Sequence, residues 1–454
     1  MVGLSAFFIT GGKIMAEAIA DKTDVNPDLD RSPPGTVLIV GGGVTGVSAA
    51  LQLSAASLKV HLIEREGRLG GRALDFGCKA ADACQKCNVC LALDRFRSIR
   101  RAPNIRIHLS SELISLTNGS QTGRFRAGLL HQPLLIDPAK CTACGLCASV
   151  CPAKCIEPAA PSLGITHYVI DRSRCLALKG QDCSKCQEIC PTAAIDLAAQ
   201  PHSEDLDVDA VLLATGYEPY DALGQGTYGY GSIPNVITGL DAERQLRDSA
   251  SIIRPSDSRP PGNIAFIQCV GSRTEETQAH AFSGQYCSAV CCAYALRMSR
   301  LLTRKLPESK IAVFYMDLQN FGKDYETFYN LCCDRLRLVR SRPSRLGPSA
   351  DGTVMVTYED VDQTQVKHEQ FDLVVLSIGM RPAAGARKLA DLLNINLDEH
   401  GFFDSSSCYR PGIFVAGTCT GPTDIAGSIE QAAAVSARII DSLCGVAVVN
   451  KQDI

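Results

Sequence analysis

Cysteine carries the chemistry of this sequence. The chain holds 22 cysteines, and sixteen fall into four groups whose internal gaps are mostly two or three residues. Short repeated gaps suit thiolates converging on one metal centre better than paired disulfides, so the spacing argues against a disulfide-stapled protein. The sharpest group is Cys141, Cys144, Cys147 and Cys151 followed by Pro152, which is C-x2-C-x2-C-x3-C-P. A second run, Cys175, Cys183, Cys186, Cys190 and Pro191, keeps C-x2-C-x3-C-P but carries an insertion after its first cysteine. In paired iron–sulfur runs of this spacing the fourth cysteine of one run serves the cluster of the other. The expected ligand sets are therefore Cys141, Cys144, Cys147 and Cys190 for one 4Fe-4S cluster, and Cys151, Cys175, Cys183 and Cys186 for the second. A zinc module is the competing reading, and the prolines and the reciprocal spacing favour iron–sulfur over it.

Two further groups are less regular. Cys78, Cys84, Cys87 and Cys90 form C-x5-C-x2-C-x2-C. Four thiolates in so short a stretch suit zinc or a cubane, and the iron–sulfur company favours the cubane. Cys269, Cys287, Cys291 and Cys292 end in adjacent cysteines, an awkward arrangement for a cubane, with a set of buried thiols as the bland alternative. Cys155, Cys332, Cys333, Cys408, Cys419 and Cys444 remain unassigned and read mostly as buried, unreactive thiols.

The elements that must position these groups begin with a strand at residues 36–40 that runs into Gly41, Gly42, Gly43, Val44, Thr45 and Gly46, followed by a helix expected over 47–56. The first glycine permits a tight turn, the second lets a pyrophosphate approach the backbone, and the third lets helix and strand pack closely. The next strand, 59–63, ends at Glu64 and Arg65, where an acid can hold ribose hydroxyls. The loop of Gly67, Arg68, Leu69, Gly70, Gly71 and Arg72 resembles that of two-dinucleotide-domain flavoproteins, which makes FAD the expected dinucleotide. Two distant segments match the same class: VLLATG at 211–216, with Ala214, Thr215 and Gly216, and GIFVAG at 412–417, followed by a helix over 428–443. Together they resemble the thioredoxin-reductase-like fold, in which the C-terminal segment completes the FAD domain after a second Rossmann-like domain. That class has an Asp after the last glycine of GIFVAG to hold the ribityl chain. Thr418 stands here after Gly417, so the contact falls to Thr418, backbone or a neighbour such as Asp424. The strand expected at 263–268 is followed by Cys269, Val270, Gly271, Ser272 and Arg273 in place of a GxGxxG loop, which argues against a nicotinamide site in that domain.

Length and charge bound the rest. At 454 residues the chain exceeds one ordinary core, and 45 Lys and Arg against 48 Asp and Glu leave a net charge of −3. With no basic phosphate-tracking stretch, nucleic acid is not an expected partner. Apolar runs fall short of the roughly 20 residues of a membrane-spanning helix, and the apolar start lacks the features of a secretory signal, so a soluble, cytoplasmic protein is expected. Translation from Met15 is an alternative to Met1.

The full constellation resembles the A subunit of heterodisulfide reductase and its bacterial relatives over residues 35–445. Beyond the FAD fingerprint and the ferredoxin-type insert, the resemblance rests on Gln268 to Arg273, Tyr286-Cys287 through Cys291-Cys292, Phe321-Gly322-Lys323 before Tyr325-Glu326, and Gly421-Pro422-Thr423-Asp424-Ile425. It implies one FAD, often a bifurcating centre, with a cluster replacing the nicotinamide site of the second domain. It also implies electron transfer to partner subunits in a multi-subunit complex of anaerobic metabolism. Those partners would be B and C subunits or an equivalent acceptor module, with a ferredoxin, a hydrogenase or an NADH-oxidising module, and a dimer, as further options. Lys323 falls in a family motif, where a cation near a flavin would stabilise its reduced anionic form, and its bland reading is a solvated surface lysine. Against methanogen members the resemblance leads one to expect a shorter chain lacking their extra N-terminal domain and C-terminal ferredoxin module, and the 78–90 group is spaced differently. The alternative is a self-contained NAD(P)H oxidoreductase resembling the glutamate synthase small subunit.

The expected architecture is α/β, two Rossmann-like domains with an inserted α+β two-cluster ferredoxin domain. Its segments are an arm at 1–34, FAD-domain parts at 35–135, 199–260 and 371–454, the ferredoxin insert at 136–198 and the second domain at 261–370.

Overall fold

The computed structural model describes residues 35–119, 123–159, 167–224, 228–273, 284–319, 325–405 and 410–444. The expected arm at 1–34, Lys323 and Cys408 lie outside them.

The chain starts with β1 (Thr36–Val40), α1 (Val44–Ala55), β2 (Lys59–Ile63), α2 (Val89–Ser98) and β3 (Ile105–His108), three parallel strands with crossover helices. β1 is apolar almost throughout because both faces of a parallel strand are covered. β4 (Ser111–Asn118) and β5 (Phe125–His131) form an antiparallel pair. After β5 the chain leaves to build α3 (Leu146–Val150), β6 (Ile156–Pro158), β7 (Tyr168–Ile170) and α4 (Lys185–Ile189), then returns as β8 (His202–Val208), which pairs with β5. A bridge between Ile136 and Ile195 closes the base of this insert. β9 (Ala210–Leu213) rejoins β1 in parallel, and β10 (Tyr217–Pro219) crosses to the next domain.

That domain comprises β11 (Val236–Thr238), α5 (Gly239–Ser249), β12 (Asn263–Val270), α6 (Cys291–Lys305), β13 (Lys310–Tyr315), α7 (Tyr325–Cys333) and β14 (Arg337–Arg340). The antiparallel strands β15 (Arg345–Pro348), β16 (Val354–Asp360) and β17 (Gln365–Phe371) lead to β18 (Leu373–Ile378). β19 (Met380–Pro382) pairs with β10, and α8 (Ala386–Leu393), β20 (Ile413–Val415) and α9 (Ile425–Cys444) return to the first domain.

The first sheet has the order β20-β9-β1-β2-β3, and the second β11-β18-β12-β13-β14. This is an α/β, thioredoxin-reductase-like pair of Rossmann domains with a ferredoxin-type insert. Ala432, Val435 and Ile439 of α9 share one core with Val47 and Ala50 of α1, so the C-terminal segment completes the first domain.

Two of the expected boundaries are corrected. β11 lies before 261 and β18 beyond 370, yet both hydrogen-bond into the second sheet, β18 as the parallel neighbour of β12 and β11 as that of β18. Backbone pairing, which no local pattern encodes, assigns them there. The helices also begin earlier than expected, at Val44 and at Ile425.

Candidate cofactor and cluster sites

In the first sheet the strand order reverses at β1, and the glycine loop stands at its carboxyl end, the switch point at which such sheets bind ligands. Gly41 has φ +112°, and a Cβ there would meet the Ala214 carbonyl oxygen at 2.3 Å. A Cβ on Gly46 would lie 1.9 Å from the Gly41 oxygen. These two glycines are thus required by the fold. Gly43 differs: a Cβ there meets nothing within 4 Å, which is the open space a pyrophosphate needs in front of the α1 N-terminus. Val44 and the buried Thr45 form the first turn of that helix. Glu64 accepts from the Gly42 N–H at 2.7 Å and from the Glu66 N–H at 2.8 Å, and burial pushes its carboxyl above the ordinary value. Arg65, Gly71 and Arg72 are exposed around the loop.

The other FAD candidates come together from distant segments. Gly417 donates to Gln431 Oε1 at 2.7 Å, and a Cβ on it would strike Thr45 Oγ1 at 2.1 Å. Thr215 Oγ1 is buried at the site, beside the Cys419 thiol. A Cβ on Gly216 would sit 3.9 Å from Thr418 Oγ1, so Thr418 does face the VLLATG turn. Asp424 sits at the start of α9. Its carboxylate accepts from the Gly427 N–H at 2.8 Å and its carbonyl from the Ser428 N–H, capping α9 just ahead of Ile425. The cradle fits an FAD.

In the insert, Cys141, Cys144, Cys147 and Cys190 line one cavity. Cys151, Cys175, Cys183 and Cys186 line a second. The halves repeat each other: the Cys141 N–H bonds to the Asp137 carbonyl and the Cys175 N–H to that of Asp171, and the left-handed residues Lys154 and Ala193 each follow a Cys-Pro pair. Among the described residues, no three cysteine sulfurs lie within 4.8 Å of one another. A tetrahedral zinc with about 2.3 Å bonds would hold its sulfurs roughly 3.8 Å apart, closer than any three of these sulfurs stand together. Burial raises the Cys147 thiol to about 11. Burial also acts on Cys190, but the Ala194 and Thr192 N–H groups outweigh it and hold that thiol below its ordinary value. Loading a cluster therefore releases protons, most of all from the buried thiols.

The second sheet reverses its strand order at β12, and Cys269 stands near that strand's carboxyl end with φ +61°. Cys291 and Cys292 open α6. The Cys291 thiol points at the Ile378 carbonyl at 3.7 Å, at the end of β18, and that of Cys292 at the Asp317 carbonyl at 3.9 Å, beyond β13. The exposed Cys287 is an electrostatic neighbour of all three. Burial pushes Cys292 up to about 11 and Cys291 higher still. Thiols thus fill the switch point of this sheet, and the Tyr220 ring lies where a Cβ on Gly271 would go, at 2.1 Å.

Cys78, Cys84, Cys87 and Cys90 follow the Gly71 turn on irregular backbone, with Lys86 and Asn88 left-handed and Cys90 inside α2. Three of these thiols are exposed and Cys87 is partly buried. The segment is clamped to the second domain: Arg297 of α6 donates to the Gln85 carbonyl at 2.8 Å, and Arg247 of α5 lies 3.3 Å from Asp75. Lys79 and Glu243 form an ion pair with side-chain exposures of 3% and 1%. Removing one partner would strand a buried charge, so Lys79→Met is expected to lower stability by about 3–5 kcal/mol in denaturant unfolding, with Lys79→Met/Glu243→Leu recovering most of the loss.

Sequence reading passed over two residues beside these sites. Tyr217, next to Gly216, interacts with both Arg72 and Cys291, and burial lifts its hydroxyl to about 12. Its electrostatic neighbours thus include both the FAD loop and a second-domain thiol. Cys155 lines the second cavity of the insert, its sulfur 3.4 Å from that of Cys151. The repeat could have found it, since Cys155 follows Cys151-Pro152 as Ala194 follows Cys190-Pro191. Cys332 and Cys419 are buried, and Cys333 and Cys444 exposed.

Residues 39–105 match the NAD(P)-binding Rossmann-like domain family and residues 140–194 the 4Fe-4S dicluster domain family. Among curated proteins, the chain is 34% identical over 439 residues to the second iron-sulfur A subunit of the CoB--CoM heterodisulfide reductase of Methanopyrus kandleri, covering 89% of this chain and 64% of that one. It is 30% identical over 458 residues to the CoB--CoM heterodisulfide reductase iron-sulfur A subunit of Methanocaldococcus jannaschii, covering 95% and 67%. A third relative is the A subunit of the H(2):CoB-CoM heterodisulfide,ferredoxin reductase of Methanothermobacter thermautotrophicus, 31% identical over 429 residues, covering 88% and 63%. The chain thus spans about two thirds of the length of these relatives. Among solved structures, Lactococcus lactis thioredoxin reductase aligns with a TM-score of 0.49 at 12% identity, covering 91% of this chain and 100% of that one.

Proposed function

The chain belongs to the family of heterodisulfide reductase A subunits, and from that premise we propose that it is the electron-transfer subunit of a heterodisulfide-reductase-like complex. It is an oxidoreductase with FAD and 4Fe-4S clusters as cofactors. FAD exchanges electrons in pairs or singly, and clusters carry them one at a time. The flavin would bifurcate or relay electrons among clusters held by Cys141, Cys144, Cys147 and Cys190, by Cys151, Cys175, Cys183 and Cys186, by Cys78, Cys84, Cys87 and Cys90, and by Cys269, Cys287, Cys291 and Cys292. B and C subunits, or an equivalent acceptor module in the cytoplasm, would take them on to the terminal substrate.

One observation carries this reading. Cysteines, not phosphate-binding glycines, stand at the switch point of the second sheet. The chain's own residues then have distinct roles. Gly43 leaves room for the pyrophosphate, Glu64 orients the ribose, and Thr215 and Thr418 offer hydroxyls from the two returning segments.

Rapid mixing of the purified, fully loaded chain with NADH or NADPH is expected to leave the flavin absorbance unchanged on the millisecond scale, while a low-potential reductant bleaches it. Prompt bleaching by either nucleotide would overturn the relay reading in favour of a self-contained NAD(P)H oxidoreductase.

A further inference from the structure

Away from the flavin and cysteine sites, four of the chain's eight histidines stand in a row. His61 on β2 stacks on His108 at the end of β3, with ring centroids 5.2 Å apart. His108 adjoins His131 at the end of β5 at 5.4 Å, and His131 stacks on His202 at the start of β8 at 4.7 Å. Glu204, two residues further along β8, turns its carboxylate into the row. Its Oε2 lies 3.2 Å from His131 Nε2 and 4.0 Å from His108 Nδ1. Among the described residues, His108, His131 and Glu204 are the only group of three such ligand atoms lying within 4.8 Å of one another.

Hydrogen bonding orients the donors. The Ser111 hydroxyl reaches the Leu109 carbonyl at 2.7 Å and His131 Nδ1 at 2.8 Å. In the tautomer with the proton on Nδ1, which donates to Ser111, the buried Nε2 presents its lone pair on the side of the Glu204 carboxylate. In that tautomer two electron-pair donors stand 3.2 Å apart, a spacing that suits two ligands on one cation. On His108, Nε2 lies 3.0 Å from His61 Nδ1; donating there leaves Nδ1 free to face the same carboxylate oxygen. Arg106 lies 3.6 Å from the other oxygen, Oε1, and leaves Oε2 to the histidines.

Two donors at about 2.0–2.1 Å on a tetrahedral ion lie roughly 3.3 Å apart, close to the 3.2 and 4.0 Å found here. Glu204 is 30% exposed against 4% and 10% for the two histidines, so the ion has a way in and a position left for water.

The geometry points to a binding site for one borderline divalent transition cation, of the zinc or cobalt type, on His108 Nδ1, His131 Nε2 and Glu204 Oε2. His61 and Ser111 hold the two rings. The ion's role is structural. His131 and His202 are register partners on β5 and β8, the two strands that carry the chain into and out of the ferredoxin-type insert, whereas His108 belongs to the FAD-domain sheet. The ion pins the stalk of the insert to the domain that binds the flavin.

The test uses the chain with FAD and clusters loaded, so that the cluster thiolates are occupied, freed of loose metal by a chelator and titrated anaerobically with Co2+. Uptake of one equivalent is expected, with tetrahedral ligand-field bands, no sulfur-to-cobalt charge transfer, and displacement by Zn2+. His131→Gln and Glu204→Gln, each lacking a ligand, are expected to weaken binding at least about 100-fold, and His61→Phe about 10- to 100-fold, at unchanged FAD and iron content. No uptake by the wild-type chain, sulfur-to-cobalt bands, or equal affinity in all three variants would overturn the site. If a ligand variant fails to retain FAD and iron, the His61→Phe titration decides by the same criterion.

Discussion

Gly43→Glu is expected to strip the chain of FAD while leaving its iron content and cluster EPR signals in place. Gly43 has φ −78° and ψ −168°, extended backbone that any residue adopts, and the space in front of it is open. The variant should therefore fold without strain, with its new carboxylate where the pyrophosphate has to lie. Two like charges about 4 Å apart at an effective dielectric constant near 20 repel by about 4 kcal/mol, or roughly a thousandfold in affinity. Gly46 offers no such clean test, because its Cβ would collide with the Gly41 carbonyl and disturb the fold itself. Stoichiometric flavin in purified Gly43→Glu, read from its visible absorbance, would show that the dinucleotide binds elsewhere.

Replacing Cys291 and Cys292 together by Ser is expected to remove about four of the roughly 16 iron atoms of a chain with four loaded cysteine groups. It should also block electron transfer between the flavin and the native partner, with FAD content unchanged. Both residues open α6, where the helix dipole favours thiolates, yet burial opposes ionisation. A metal centre resolves that conflict, because coordination deprotonates a thiol that burial would keep neutral. Were these only buried thiols, the variant would lose about 1–3 kcal/mol of stability from the buried hydroxyls, and iron and electron transfer would be intact. Iron analysis and flavin reoxidation by the partner separate the two outcomes.

The sequence alone carried the features whose chemistry is local. A cluster ligand set needs three thiolates within a turn or two of backbone, so the 141–151 and 183–190 runs declare themselves by spacing. A dinucleotide loop needs glycines between a strand and a helix, and residues 36–64 spell out that order. Asp424, read from its place beside a FAD motif, is found to accept from the Gly427 N–H at the start of α9 as well, a contact no spacing rule announced.

Tertiary structure alone decided what depends on partners far apart in the chain. β11 and β18 are short apolar runs that read alike in either sheet, and only backbone pairing with β12 and its neighbour puts them in the second. The buried Lys79–Glu243 pair joins residues 164 positions apart, and singly each would read as a solvated charge. The four-histidine row draws on β2, β3, β5 and β8, so no spacing rule could assemble it. Local motifs are written in consecutive residues because the chain itself brings them together. The histidine row exists only once β3, β5 and β8 have found their neighbours, with the ferredoxin-type insert looped out between β5 and β8.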